Sequence, residues 1–219
     1  MTDTLQFLKD KFKPEIPDGP GLQFKAVNRT IMAQTLGELD FKVGAEVGVA
    51  EGYHAKVLCD SIPGLKLHCI DIWEKYPGYA EYENIEDIYH QAQDRLRAYD
   101  CHFVKKFSMD AVKDFADNSL DFVYIDSAHD FKSVADDICE WSKKVRPGGV
   151  VFGHDYKQHS AFRSGRRYRH AVDVRTVVVA YVTAKGIQTF YVLANDVVDP
   201  HFGPDGPGWL FVRTEDQVL

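Results

Sequence analysis

The stretch Val43-Gly44-Ala45-Glu46-Val47-Gly48-Val49-Ala50-Glu51-Gly52 decides how this chain folds. An apolar run over 43–49 passes into small residues, which let the backbone turn sharply and approach a ligand closely. A helix-like stretch from Gly52 to Ser61 follows. Working outward, the same alternation repeats. Strands are predicted at Leu65–Ile72, His102–Lys106 and Leu120–Ile125, with a fifth starting at Val150-Val151-Phe152. Helices are predicted over 84–99 and Asp110–Ala116. Val134, Ile138, Trp141 and Val145 fall on one helical face, with Asp136, Asp137 and Glu140 off that stripe. Pro147-Gly148-Gly149 reads as the stop of that helix. A last helix is expected over His170–Ala184, then strands at Thr189–Leu193 and Trp209–Arg213 joined by a Gly/Pro-rich loop over 199–208.

Upstream, Pro14, Pro17, Gly19, Pro20 and Gly21 punctuate an arm, and 24–36 reads as a helix through Phe24, Val27, Ile31 and Leu36. Strands alternating with helices specify an α/β fold with a mostly parallel sheet covered on both faces. The final two strands, joined without a helix, predict an antiparallel hairpin at one edge. Residues 1–39 are expected to form an N-terminal arm and helix packing on the domain of residues 40–219.

Composition narrows the function classes. The 219 residues suit one α/β domain, with 45% hydrophobic and 27% charged side chains, as in soluble globular proteins. No apolar run approaches the roughly 20 residues that span a bilayer, and residues 1–10 mix charges among apolar groups, unlike a secretory signal. Cys59, Cys69, Cys101 and Cys139 are scattered without a C-x-x-C pair, so free thiols and a reducing, cytoplasmic setting are expected. A net charge of −7 argues against broad nucleic-acid binding. The local exception is 157–169, which carries Lys157, Arg163, Arg166, Arg167 and Arg169, interleaved with Phe162 and Tyr168, and no acid. It follows the fifth strand and is expected to overhang the site, either as a solvated loop or as a lid gripping phosphate or carboxylate. Phe24, Lys25 and Arg29 are the expected opposite wall. A small-molecule substrate, anionic or sugar-like, is the expected partner; a homo-oligomer is compatible with the sequence.

Ligands of open α/β sheets bind at the carboxyl ends of the strands, near the switch in strand order. The glycine turn is neither G-x-G-x-x-G nor G-x-x-x-x-G-K-[ST], which disfavours a dinucleotide oxidoreductase and a nucleoside triphosphatase. The next strand ends in Asp71, about 20 residues on, where a carboxylate can accept both hydroxyls of a ribose. A helix N-cap is its structural alternative. Trp73 is read either as a ring against an adenine face or as a core aromatic.

Taken together, Glu46-x-Gly48-x-x-x-Gly52 resembles motif I of the class I S-adenosylmethionine-dependent methyltransferases, with Ala50 where many relatives carry a middle glycine. Asp71 matches their ribose-binding acid. Lys106-Phe107-Ser108-Met109-Asp110 lies where they contact adenine. Leu120–Ile125 with Asp126, then Arg146-Pro147-Gly148-Gly149, completes the order of motifs over roughly 40–195. The resemblance implies a Rossmann-like, doubly wound, seven-stranded sheet. It also implies a cofactor pocket built from Glu46, Gly48, Gly52, Asp71, Trp73, Ser108 and Met109, with Glu46 able to serve by organising the turn.

Asp126-Ser127-Ala128-His129-Asp130 and His154-Asp155 fall at the predicted ends of adjacent strands. Asp126, His154 and Asp155 offer two carboxylates and an imidazole to one divalent ion, with carboxylates suiting Mg²⁺ and His154 shifting preference toward Mn²⁺, Fe²⁺ or Zn²⁺. Tyr124 to Phe131 with Gly153 to Tyr156 is similar to a branch of sugar and antibiotic O-methyltransferases. That similarity implies Mg²⁺ at Asp126 and the 154–155 pair, and His129 as general base. His154 departs from the acid usual there. The expected activity is methylation of a hydroxyl, with Asp126 and His129 catalytic. The alternatives are a metal-independent N- or C-methyltransferase and a non-catalytic S-adenosylmethionine-binding protein.

Overall fold

The computed structural model describes residues 3–16, 20–76, 83–159, 172–194 and 196–215, with backbone alone at 162–163 and 166–167. The chain runs α1 (Thr4–Phe12), β1 (Leu22–Phe24), α2 (Arg29–Glu38), β2 (Val43–Val47), α3 (Tyr53–Ser61), β3 (Lys66–Asp71), α4 (Ile85–Leu96) and β4 (Asp100–Lys105). It continues through α5 (Ser108–Ala111) with a following 3₁₀ turn, β5 (Leu120–Ile125), α6 (Phe131–Lys144) and β6 (Val145–Gly153). Strands β7 (Phe162–Arg163) and β8 (Arg166–Arg167), helix α7 (Val174–Ala184), β9 (Phe190–Leu193) and β10 (Gly208–Val212) complete it.

Eight strands form one sheet in the order β1-β9-β10-β6-β5-β2-β3-β4. β2 pairs in parallel with both β3 and β5, so the chain first winds outward to β4 and then returns to β5 and β6 on the other side. The strand order therefore reverses between β2 and β5, and a crevice opens at their carboxyl ends. β10 runs antiparallel to β6 and β9, the expected edge hairpin. One core packs α1 to α4 on one face, with Leu8, Met32, Leu36, Leu58 and Leu96 buried; the other packs α5 to α7, with Ile138, Trp141 and Val178 buried. Among the described residues, no helix is long and apolar enough to cross a membrane.

Three expectations are corrected. The segment 24–36 is not one helix. Leu22–Phe24 is an eighth strand, parallel to β9, and the helix starts only at Arg29, where the Asn28 side chain accepts from the Ile31 N–H at 2.8 Å. The fifth long strand begins at Val145, straight out of α6, so Pro147-Gly148-Gly149 lies inside β6 instead of before it. Gly148 there has φ +76°, and the ladder with β5 shifts register between Leu120 and Phe122. The short helix read over Asp110–Ala116 starts two residues earlier, as Ser108–Ala111, and then tightens to 3₁₀ over Val112–Asp114.

Within the first 39 residues, Leu8 and Phe24 are fully buried and the Thr4 hydroxyl donates to the Gly148 carbonyl at 2.7 Å. Phe24 stacks on Tyr191 with ring centroids 4.4 Å apart.

Candidate functional site

The crevice at the switch point is a cavity of about 680 Å³, within the usual size of small-molecule sites. Its floor is the glycine turn. The Gly48 N–H donates to Ile70 O at 2.9 Å and the Asp126 N–H to Val47 O at 2.8 Å, so the turn is seated between β3 and β5. Gly48 has φ +92°, and a Cβ there would lie 2.1 Å from the Asp126 carbonyl oxygen. Only glycine allows the two loops to pass this closely.

Of the expected cofactor residues, Glu46, Gly48, Asp71, Ser108 and Met109 line the cavity. Asp71 also has a role that neither sequence reading described. Its Oδ2 accepts from the N–H groups of Val49 and Ala50 at 3.0 and 2.9 Å, and its Oδ1 from Trp73 N–H at 3.1 Å. The carboxylate thus ties the glycine turn to the end of β3, and among the described residues the next helix starts at Ile85.

Two expected residues are not on the cavity wall. Trp73 is fully buried, donates from Nε1 to Ala50 O at 2.9 Å and packs on Tyr89 and Phe103. The core offers this large ring both apolar contact and a partner for its N–H, so the core-aromatic reading describes it. Gly52 is the left-handed N-cap of α3, facing Leu96 and Ala92.

Ser108 belongs to a network. Its hydroxyl donates to Asp137 of α6 and accepts from Trp141 Nε1 at 2.7 Å, while Ser127 donates to the other Asp137 oxygen at 2.5 Å. Burial pushes the Asp137 carboxyl upward, against both hydroxyl bonds. One acid thereby links the loop after β4 to the loop after β5. At the rim, Tyr76 and Phe107 meet edge to face with centroids 5.4 Å apart, and half of Phe107 is exposed.

The chemical end of the cavity assembles as the strand order requires. His129 Nε2 lies 3.4 Å from Asp126 Oδ1 and 3.4 Å from Asp155 Oδ2. Asp126, His154 and Asp155 each offer a ligand atom, and the three atoms lie within 4.8 Å of one another. The donor set of two carboxylates and one imidazole fits a divalent cation. Burial alone would lower the His154 imidazole. Asp155 and Asp205 at its two nitrogens, with Asp126 nearby, raise it to about 9. Asp155 is held well below the usual carboxylate range, against burial, by His154, Lys157 and His129. Asp126 is also lowered, by His129, His154 and Arg29 against burial.

Arg29, expected as an opposite wall, does line the cavity. Its guanidinium makes a two-pronged contact with Asp205 at 2.6 and 2.8 Å, lies 3.7 Å from Asp126 and stacks over Phe202 at 4.0 Å. Phe24 and Lys25 do not join it: the first is core, the second pairs with Glu15. Asp205 and His54 went unread in the sequence. His54 is buried at the cavity floor, with Nδ1 3.3 Å from Glu46 Oε1, and its spacing from Glu46 across a turn carries no recognisable signal. In the basic stretch, Lys157 pairs with Asp155 at 2.8 Å. The side chains of Phe162, Arg163, Arg166, Arg167, Tyr168 and Arg169, on which the lid reading rests, lie outside the described residues.

Comparison with known proteins agrees with this geometry. A family model described as a methyltransferase domain matches residues 45–156, about half the chain and the part that carries the cavity floor and both acidic loops. The uncharacterized protein y4gI of Sinorhizobium fredii is 27% identical over 118 residues, covering 50% of this chain and 12% of that protein. The chain therefore spans about an eighth of the length of this curated relative. Among solved structures, the Bacillus cereus O-methyltransferase in complex with S-adenosylhomocysteine superposes with a TM-score of 0.58 at 16% identity, over 97% of this chain and 92% of that one. The N-methyltransferase NodS of Bradyrhizobium japonicum does so at 0.56 and 14% identity, over 85% and 95%. At such identities the likeness is one of fold, and it spans enzymes named for different acceptor atoms. By its family model and its sheet, the chain belongs to the methyltransferase-domain family and has the Rossmann-like fold of the class I S-adenosylmethionine-dependent methyltransferases.

Proposed function

We propose that this chain uses S-adenosylmethionine to methylate a hydroxyl oxygen of a small sugar-like or anionic molecule, with His129 as general base and a divalent cation held by Asp126, His154 and Asp155. The observation that carries the reading is the placement of His129. Its ring sits between two carboxylates at 3.4 Å, on the wall of the same cavity whose floor is the glycine turn.

Methyl transfer is an in-line displacement, so alignment of acceptor and sulfonium supplies much of the rate. The acceptor oxygen forms a bond to the methyl carbon as the carbon–sulfur bond breaks, and the hydroxyl proton must leave. The His129 ring takes it, and Asp126 and Asp155 stabilise the resulting imidazolium. A bound cation would lower the hydroxyl pKa and orient the oxygen. At the other end, Ser108, Met109 and the Tyr76–Phe107 edge suit a flat heteroaromatic ring, while Asp71 keeps the turn in shape for the amino-acid portion.

Calorimetric titration with S-adenosylhomocysteine, in EDTA and then with Mg²⁺ or Mn²⁺, tests the reading. Micromolar binding is expected, followed by methyl-ether formation on hydroxylated acceptors that EDTA abolishes. Absence of binding under every condition would overturn the methyltransferase activity. Methylation that survives EDTA would remove the cation and favour metal-independent transfer.

A further inference from the structure

Three of the four cysteines, scattered in sequence, meet in the fold on the face covered by α3. Cys59 of α3 places its Sγ 3.6 Å from the Sγ of Cys101 at the start of β4. Cys69 of β3 belongs to the same packed cluster. The register explains the meeting. β3 and β4 are parallel with Leu67 opposite Cys101, so Cys69, two residues on, is the diagonal neighbour on that face. Cys69 is buried, whereas Cys59 and Cys101 are both partly exposed. Cys139 belongs to the core on the opposite face of the sheet.

We propose that Cys59 and Cys101 are an oxidation-sensitive pair that a peroxide closes to a disulfide. Each sulfur is the other's nearest thiol, so either can attack while its partner resolves. One thiolate of the pair attacks one peroxide oxygen, the O–O bond breaks, and the departing hydroxide takes up a proton as water, leaving a sulfenic acid. The other sulfur then displaces the sulfenic oxygen, which leaves as a second water. Two thiols and one peroxide become one disulfide and two waters; each sulfur loses one electron and the peroxide gains two. The sulfurs must close from 3.6 Å to about 2 Å.

Such a bridge encloses β3, α4 and the cavity-lining residues Asp71, Ile72, Tyr76 and Ile85. It joins α3, which leaves the glycine turn, to β4, which leads into Lys106–Met109. It is a covalent clamp on the half of the molecule that carries the cofactor floor, and it does not depend on which acceptor is methylated.

The test treats the reduced, folded full chain with hydrogen peroxide, then denatures it, alkylates it and maps its peptides by mass. The four free thiols are expected to fall to two. A single intramolecular Cys59–Cys101 peptide should appear, dithiothreitol should reverse it, and the thermal midpoint should rise. Cys139→Ser should pair identically, and Cys59→Ser should leave a dimedone-reactive sulfenic acid on Cys101. Retention of all four thiols, a bridge between two molecules, or pairing through Cys69 or Cys139 would each overturn the proposal.

Discussion

Glu46 and His54 meet at the floor of the cavity, His54 Nδ1 lying 3.3 Å from Glu46 Oε1, and their linkage has a measurable sign. Burial pushes the Glu46 carboxyl well above the usual carboxylate range, and burial, aided by Arg29, lowers His54 to about 3. Burial thus favours the neutral form of each in the folded protein, with a proton on Glu46 and none on the His54 acceptor nitrogen. In the unfolded chain, below pH about 6.5 and above the carboxylate range, it sits on the histidine instead. Both states then hold one proton, so this pair contributes no slope to stability in that window. Glu46→Gln removes the compensation. His54 is then a group with a depressed folded pKa, whose unfolded form alone gains a proton on acidification, so stability falls as pH drops below about 6.5. From pH 7.5 to 5 the variant's own stability should fall by up to ~2 kcal/mol, read from urea midpoints at each pH, while the parent's stays level below about 6.5. Parallel pH profiles would refute this linkage. Asp71 belongs to the same scale. Its three backbone bonds predict that Asp71→Ala loses about 1–3 kcal/mol of stability together with S-adenosylhomocysteine affinity. Affinity lost at unchanged stability would place the carboxylate on the ligand alone.

Between elements, the decisive contact is the crossing of the turn after β2 by the loop after β5. Gly48→Ala puts a methyl 2.1 Å from the Asp126 carbonyl at a positive φ, so a loss of at least ~2 kcal/mol is expected. Asp126 would move with the loop, and a calorimetric midpoint near the parental value would show that the crossing is loose. Such crossings also explain what could be read in advance. The runs of β2, β3 and β5 are bounded by clear turn signals and are apolar apart from Glu46, Lys66, His68, Asp71 and Asp121, so their order was legible, and strand-end placement brought Asp126, His129, His154 and Asp155 together without further information. β1 was not legible: three residues, Leu22–Phe24, are too few to show a period of two, and Phe24 fits a helical stripe equally well. Nor was the start of β6, because Pro-Gly-Gly reads as punctuation although the strand absorbs it with a positive φ at Gly148. Trp73 illustrates the remaining difficulty, since a ring near a site is drawn to the core whenever its N–H finds a partner there.

At the scale of the whole molecule, the start of α2 and the loop between β9 and β10 meet at the cavity. The loop between β9 and β10 is fastened to the start of α2 twice. Asp199, buried, accepts from Thr30 Oγ1 at 2.9 Å, and Asp205 clasps Arg29 from 176 residues away. No periodicity or local motif could announce a pairing at that separation. The clasp also sets the charge of the chemical centre: Asp126, Asp155 and Asp205 face Arg29, His154 and Lys157, so the carboxylates are balanced side by side instead of by solvent. With only 15% and 8% of the Arg29 and Asp205 side chains exposed, water cannot replace a missing partner. Arg29→Ala should therefore cost about 3–5 kcal/mol, with little relief at high salt because buried pairs are weakly screened. Arg29→Lys should recover only part of this, since an ammonium cannot make the two-pronged contact. A double-mutant cycle with Asp205→Ala, followed by urea denaturation at low and high salt, isolates the pair. A coupling below ~1 kcal/mol, or one erased by salt, is the behaviour of an exposed ion pair and would mean that the C-terminal loop is held by Asp199 alone.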